Sequence, residues 1–178
     1  MTPTAKMNVP IARTSLLENE IQSVLDPLRS GWLVQGPKVR EFEEAWSAFT
    51  GAKHSIAVTS CTTGLHLSLV TLGLRPEDEV IVPAFTWIAT ANVVEHIGCK
   101  VVFCDIDLNT FNLDIRDAER KITSRTKAII PVHLFGLSAD MGALMKLAQT
   151  HGLLVIEDAA CGLGSSYQGR HVGTFGDT

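Results

Sequence analysis

Two short runs, Val101-Val102-Phe103-Cys104 and Ile129-Ile130-Pro131-Val132, are apolar at every position. Successive side chains of a strand point to opposite faces, so such a run is stable only where both faces are covered. That is the condition of a parallel sheet held between two layers of helices. The chain around these runs keeps the matching rhythm. Strands are predicted at His54–Thr59, Glu79–Val82, Lys100–Asp105, Ala128–His133 and Leu153–Glu157, with helical patterns at 62–74, 86–97, 114–122 and 139–151. Pro131 weakens one strand, because it removes a ladder donor. The expectation is a three-layer α/β/α fold on a mostly parallel sheet.

Upstream of this rhythm, the first ~14 residues, with Pro3 and Pro10, read as a loose arm. Ser15 can cap a helix through Leu16, Leu17, Ile21, Val24, Leu25 and Leu28, stopped by Gly31 and distorted near its end by Pro27. Gln35-Gly36-Pro37 forms a turn, and a second helix follows with Val39, Phe42, Trp46 and Phe49 on one face and Gly51 past its end. The glycine-rich stretch 162–178 reads as loops with short strands.

Bulk properties exclude several partners. A net charge of −4 gives no general pull toward nucleic acid or an anionic membrane surface. No apolar run approaches the roughly 18 residues a membrane helix needs, and Met1–Pro10 lacks the apolar core of a signal peptide. Cys61, Cys99, Cys104 and Cys161 show neither CxxC pairing nor zinc spacing, so they read as reduced thiols of a cytoplasmic protein and no metal site is expected.

Ligands of open α/β folds bind where strands give way to helices, and four such junctions carry unusual residues. Thr59-Ser60-Cys61-Thr62-Thr63-Gly64 offers hydroxyls and free backbone N–H groups at a helix start, which suits a phosphate or serves as a plain cap. Pro83-Ala84-Phe85-Thr86-Trp87 places an aromatic where it can lie on a cofactor ring or pack into the core. His133 either lines a pocket or bonds to backbone. Glu157-Asp158 follows a buried apolar strand, where a carboxylate is costly unless something positive meets it. A protonated pyridine nitrogen is one such partner; a helix N-cap or a magnesium ligand are the alternatives.

Taken in order, these segments resemble the DegT/DnrJ/EryC1/StrS sugar aminotransferase family, whose fold is fold type I of the pyridoxal-phosphate enzymes. The resemblance runs from about Leu33 to Thr178. It rests on Gly36-Pro37-Lys38-Val39-Arg40-Glu41-Phe42-Glu43, Thr59–Leu65, Val80–Trp87, Phe103–Asp107, Thr110–Asp114, Pro131–Gly136 and Glu157–Ala160. It implies that residues 1–32 form an arm and helix, and that 33–178 form the N-terminal part of the large cofactor-binding domain. Cys61, Thr62 and Thr63 would hold the phosphate of pyridoxal 5'-phosphate through backbone N–H groups and the Thr62 hydroxyl. Trp87 would stack on the ring, Asp158 would pair with the ring nitrogen, and Cys161 would stand where the family usually has Gln or His near the phenolic oxygen.

The family's Schiff-base lysine is expected just past Thr178, since none of Lys6, Lys38, Lys53, Lys100, Lys121, Lys127 and Lys146 stands at its position. The chain alone is therefore expected to be inactive, to expose apolar patches and to associate. The implied activity is transfer of an amino group from an amino acid, glutamate by expectation, to a nucleotide-linked keto sugar in amino-sugar biosynthesis. The implied protein is a homodimer with active sites at the subunit interface. A dehydratase of the same family and a non-catalytic binding homologue are the alternatives.

Overall fold

The computed structural model describes residues 13–178; most of the expected N-terminal arm lies outside the described residues. The chain divides into two compact units, one ending at Glu41 and one spanning Phe42–Thr178.

The first unit contains α1 (Glu18–Ser30), which ends on Gly31 in the left-handed region at φ 72°. Its N-cap is Leu17 rather than the expected Ser15, and the Leu17 N–H is met by the Glu20 carboxylate at 2.6 Å. A carboxylate three residues into the helix can take over part of a cap's work. The expected apolar face is there, but Leu17, Ile21, Val24 and Leu28 are all exposed. Helix α2 (Pro37–Thr50) starts on its proline, where a missing N–H costs nothing. It stops before Gly51, which adopts φ 80°.

The second unit is built on four parallel strands: β1 (Glu79–Pro83), β2 (Lys100–Cys104), β3 (Thr126–Ile129) and β4 (Leu154–Val155), in the order β2-β1-β3-β4. Four helices alternate with them: α3 (Cys61–Thr71), α4 (Ala89–His96), α5 (Ile115–Lys121) and α6 (Met141–His151). A short antiparallel hairpin, β5 (Ser166–Tyr167) and β6 (Arg170–His171), follows. Asp114 and Asp140 cap α5 and α6 by accepting first-turn N–H groups, and Gly152 ends α6 at φ 65°.

Strand parity sorts the core into two layers. Ile81, Ile129 and Val155 face Ala118 of α5 and Met141, Leu144 and Leu147 of α6. Val80, Val82, Ala128, Ile130 and Ile156 face Leu65 and Leu69 of α3 and Ala91, Val93 and Val94 of α4. Each fully buried Val, Leu, Ile or Met side chain among them contributes about 1.5–3 kcal/mol. The expected three-layer α/β/α architecture is therefore present.

Three expectations change in detail. β2 is an edge of the sheet among the described residues, so its Phe103 is exposed despite the strand's apolar run. β3 ends at Ile129, ahead of Pro131, yet the chain stays beside its neighbour: Asp158 N–H donates to Pro131 O at 2.9 Å and His133 N–H to Asp158 O at 3.0 Å. The predicted strand at His54–Thr59 is not one. That segment has no strand partner among the described residues, Ala57 N–H is taken by the Glu43 carboxylate, and Ile56 is 79% exposed. Strand pattern is not enough without a neighbour to complete the ladder. A groove of about 390 Å³ lies along it, lined also by Leu65, Ile156 and Thr178.

Candidate active site

The same parity that sorts the core aims the two carboxylates after β4. Glu157 continues the face of Val155, and Asp158 continues the face of Ile156. Adjacent residues thus enter different surroundings.

Glu157 is buried and fully engaged. His133 Nε2 lies 3.0 Å from Oε2, while His133 Nδ1 accepts the Ala139 N–H at 3.2 Å, so the ring's proton sits on Nε2 and is donated to Glu157. The N–H groups of Gly173, Phe175 and Gly176 complete the shell at 2.8, 2.6 and 2.7 Å. Burial opposes ionisation of this carboxyl, but the His133 bond and the three backbone donors outweigh it and hold it below the usual carboxylate range. Glu157 thereby ties the 173–176 turn to the sheet. His133, read from sequence as a pocket or backbone residue, is wholly buried and bonded on both nitrogens.

Asp158 is 5% exposed and differently served. Thr90 Oγ1 donates to Oδ2 at 2.8 Å; the Cys61 thiol, at 3.7 Å, and the Ala160 N–H, at 3.2 Å, meet Oδ1. No lysine, arginine or histidine pairs with it among the described residues. An ionised carboxylate has about four lone-pair sites, so three donors leave room for one more. A buried carboxylate without a counter-charge and with one acceptor site open suits a ring nitrogen that carries a proton. The capping alternative does not describe it, since no α-helix follows, and no cluster of metal-ligating side chains is present among the described residues.

The other residues singled out from the sequence are placed as follows. Helix α3 begins at Cys61 behind the cap Ser60, whose hydroxyl takes the Thr63 N–H at 3.1 Å. The amides of Cys61 and Thr62, the first two of the helix, have no intrahelical acceptor and form the positive end of its dipole. The Thr63 hydroxyl is held by Thr59 and Ser60 at 3.0 and 3.1 Å. Burial and the neighbouring Asp158 push the Cys61 thiol up to about 11, which keeps its proton and its donor role. Trp87, just before α4, is 79% exposed, so it is not a core aromatic. Cys161, three residues beyond Asp158, is exposed.

Sequence reasoning missed Thr90. It lies 68 residues from Asp158, and only the packing of α4 beside the end of β4 joins them. Thr86 extends the line, its hydroxyl 3.1 Å from that of Thr90. Two exposed aromatics, Phe111 and Phe135, adopt φ of 59° and 54°, and both rings lie near Phe85, at 5.8 and 6.5 Å.

Known proteins resemble this chain in sequence and fold. Spore coat polysaccharide biosynthesis protein SpsC of Bacillus subtilis is 47% identical over 169 residues, 95% of this chain and 43% of SpsC. The UDP-4-amino-4-deoxy-L-arabinose–oxoglutarate aminotransferase of Shewanella sediminis is 44% identical over 168 residues, 94% of this chain and 43% of that protein. The chain thus spans less than half the length of these relatives. Among solved structures, Spr1654 of Streptococcus pneumoniae in its PMP form superposes with a TM-score of 0.91 at 36% identity, covering 96% of this chain and 46% of the other, and Spr1654 is also solved in a PLP form. The fold is that of the fold type I enzymes, and pyridoxal phosphate is the family's cofactor. The profile of the DegT/DnrJ/EryC1/StrS aminotransferase family matches residues 14–178, and the chain belongs to that family.

Proposed function

We propose that the whole protein carrying this chain transfers an amino group from glutamate to a nucleotide-linked keto sugar. The observation that carries this reading is Asp158, a buried carboxylate with no cation beside it and one acceptor site open. The name of the Shewanella relative supports the finer choice of a nucleotide-linked sugar and an oxoglutarate couple. On this reading residues 33–178 are the N-terminal part of the cofactor-binding domain, and the protein acts in the cytoplasm.

Bound here, pyridoxal phosphate supplies an electron sink for the amino donor's α-carbon. The chain's own residues bind and orient it. Asp158 accepts the ring N–H and favours the protonated ring. The Cys61 and Thr62 amides and the Thr62 hydroxyl receive the phosphate; the Thr63 amide, expected to join them, is already given to the Ser60 hydroxyl, so Thr63 holds the turn in shape instead. Trp87 covers a ring face with its exposed indole. Cys161 borders the phenolic side and offers a thiol, a weaker donor than the amide or imidazole usual in the family. No lysine of this chain is assigned a catalytic role.

The protein acts as a homodimer on this reading. The Phe85, Phe111 and Phe135 cluster supports it: strained backbone at exposed aromatics is kept where a surface has a use.

The test is reconstitution of the full-length protein with pyridoxal phosphate, glutamate and a UDP-4-keto sugar, followed by mass spectrometry. Glutamate-dependent formation of an amino sugar with matching 2-oxoglutarate is expected. A deoxygenated sugar without nitrogen would identify a dehydratase, and cofactor binding without turnover of any keto sugar would identify a binding homologue.

A further inference from the structure

Thr90 is the second residue of α4 and is completely buried. A threonine in a helix's first turn commonly bonds to nearby backbone or to water. This hydroxyl instead reaches Asp158 Oδ2 at 2.8 Å. A hydroxyl has one proton to give. Thr90 spends it on the carboxylate, so the Thr86 hydroxyl, 3.1 Å away, is the donor to Thr90 Oγ1. The line therefore runs one way, from half-buried Thr86 through Thr90 to Asp158. On the other carboxylate oxygen, the Ala160 amide comes from Asp158's own loop and the Cys61 thiol is a long, weak donor. Among the described residues, Thr90 gives Asp158 its one short side-chain hydrogen bond.

We infer that Thr90 is a positioning residue: its hydroxyl fixes the rotation of the Asp158 carboxyl so that one lone pair stays turned to the cofactor's ring nitrogen, and Thr86 locks the Thr90 hydroxyl in that role. The inference rests on the reading of Asp158 as the partner of that nitrogen. Without Thr90, the carboxyl is free to turn both oxygens toward Cys61 and Ala160, and its open acceptor site loses its direction.

The test uses the full-length protein with Thr90→Val, Thr90→Ser, Asp158→Asn and the Val/Asn double variant. Three quantities are read: the melting temperature of the cofactor-free protein, the dissociation constant of pyridoxal phosphate, and the pH titration of bound-cofactor absorbance. Thr90→Val is expected to weaken binding about ten- to a hundredfold, the range for removing a hydrogen bond to a charged group. It should also shift the absorbance titration. Thr90→Ser keeps the hydroxyl and should restore both. In the Asp158→Asn background, Thr90→Val should add less than about twofold, since coupled residues do not act independently. Wild-type binding by Thr90→Val, or an equal loss in both backgrounds, overturns the inference. Normal binding by Asp158→Asn alone sinks the underlying reading and this inference with it. If Thr90→Val does not fold, Thr86→Val decides, because its side chain does not touch Asp158: weaker binding with an unchanged cofactor-free melting temperature supports the line, and wild-type binding refutes it.

Discussion

At the start of β1, Glu79 is 2% exposed and meets the Thr123 hydroxyl at 2.6 Å, Arg125 at 2.8 and 3.2 Å and Lys100 at 3.2 Å. At the other end of the sheet, past β4, Asp158 is just as buried and meets a hydroxyl, a thiol and one amide. The first carboxylate is neutralised by two cations whose own side chains reach into water. The second is left short of a counter-charge. A fold gains stability by closing such groups and tolerates an open one where a ligand completes it. The two ends therefore differ in kind: Glu79 joins the starts of β1 and β2 to the loop before β3, while Asp158, on the reading proposed above, is completed by the cofactor.

Substitutions should separate these roles. The largest effect is expected from Asp158→Asn in the full-length protein. Removing the charge should weaken pyridoxal phosphate binding by about a hundredfold or more, the scale of a truncated buried charge pair, while the cofactor-free melting temperature stays close to wild type. A titration followed by absorbance checks both halves of that statement.

Glu79→Ala should do the reverse. It removes a satisfied carboxylate and leaves Lys100 and Arg125 free in water, so the cost is about 1–3 kcal/mol of stability, with cofactor affinity intact in the folded protein. Urea unfolding at neutral pH measures it. A Glu79→Ala variant that loses cofactor before it loses stability would break the division.

The same carboxylate sets a pH dependence. The Thr123 hydroxyl, Arg125 and Lys100 hold Glu79 down to about 2 against the cost of burial. A depressed carboxyl stabilises the fold above its unfolded value, which lies near 4.3. That contribution drains away as pH falls from there toward about 2. Unfolding free energy should decline across that window in the wild type and more gently in Glu79→Gln. Equal slopes would remove Glu79 from the account.

The smallest effect concerns thiols. Cys161 is exposed, whereas burial pushes Cys104 up to about 12 and, together with Asp158, Cys61 up to about 11. Iodoacetamide at mild alkaline pH should therefore label Cys161 first, because the thiolate is the reacting form. Bound pyridoxal phosphate should slow that labelling if Cys161 borders the cofactor. Labelling of Cys104 first would contradict the burial pattern.

Much of this was legible in the sequence where one segment carries its own signal. The apolar runs at 101–104 and 129–132 announced a covered parallel sheet, and Gly31 and Gly51 marked helix ends that the structure places in the left-handed region. Residues 54–59 misled because a strand is a relation between two segments, and no second one lies beside it among the described residues. Glu157-Asp158 was legible as a costly buried pair, but not the opposite fates of its members. Strand parity held that signal, since neighbouring residues must face different layers. Thr90 left no mark in the sequence: a threonine in a helix is ordinary until the fold brings the start of α4 to the residue three places past β4. The exposure of Trp87 was likewise invisible, and its place at the site was suggested by resemblance to the family.

The central claim is that Asp158 meets a protonated ring nitrogen. The most direct measurement is the 15N chemical shift of ring-labelled pyridoxal phosphate bound to the full-length protein near neutral pH, in wild type and in Asp158→Asn. The account predicts a protonated nitrogen in the wild type and an unprotonated one in the variant. An unprotonated nitrogen in the wild type, or the same shift in both, would contradict it.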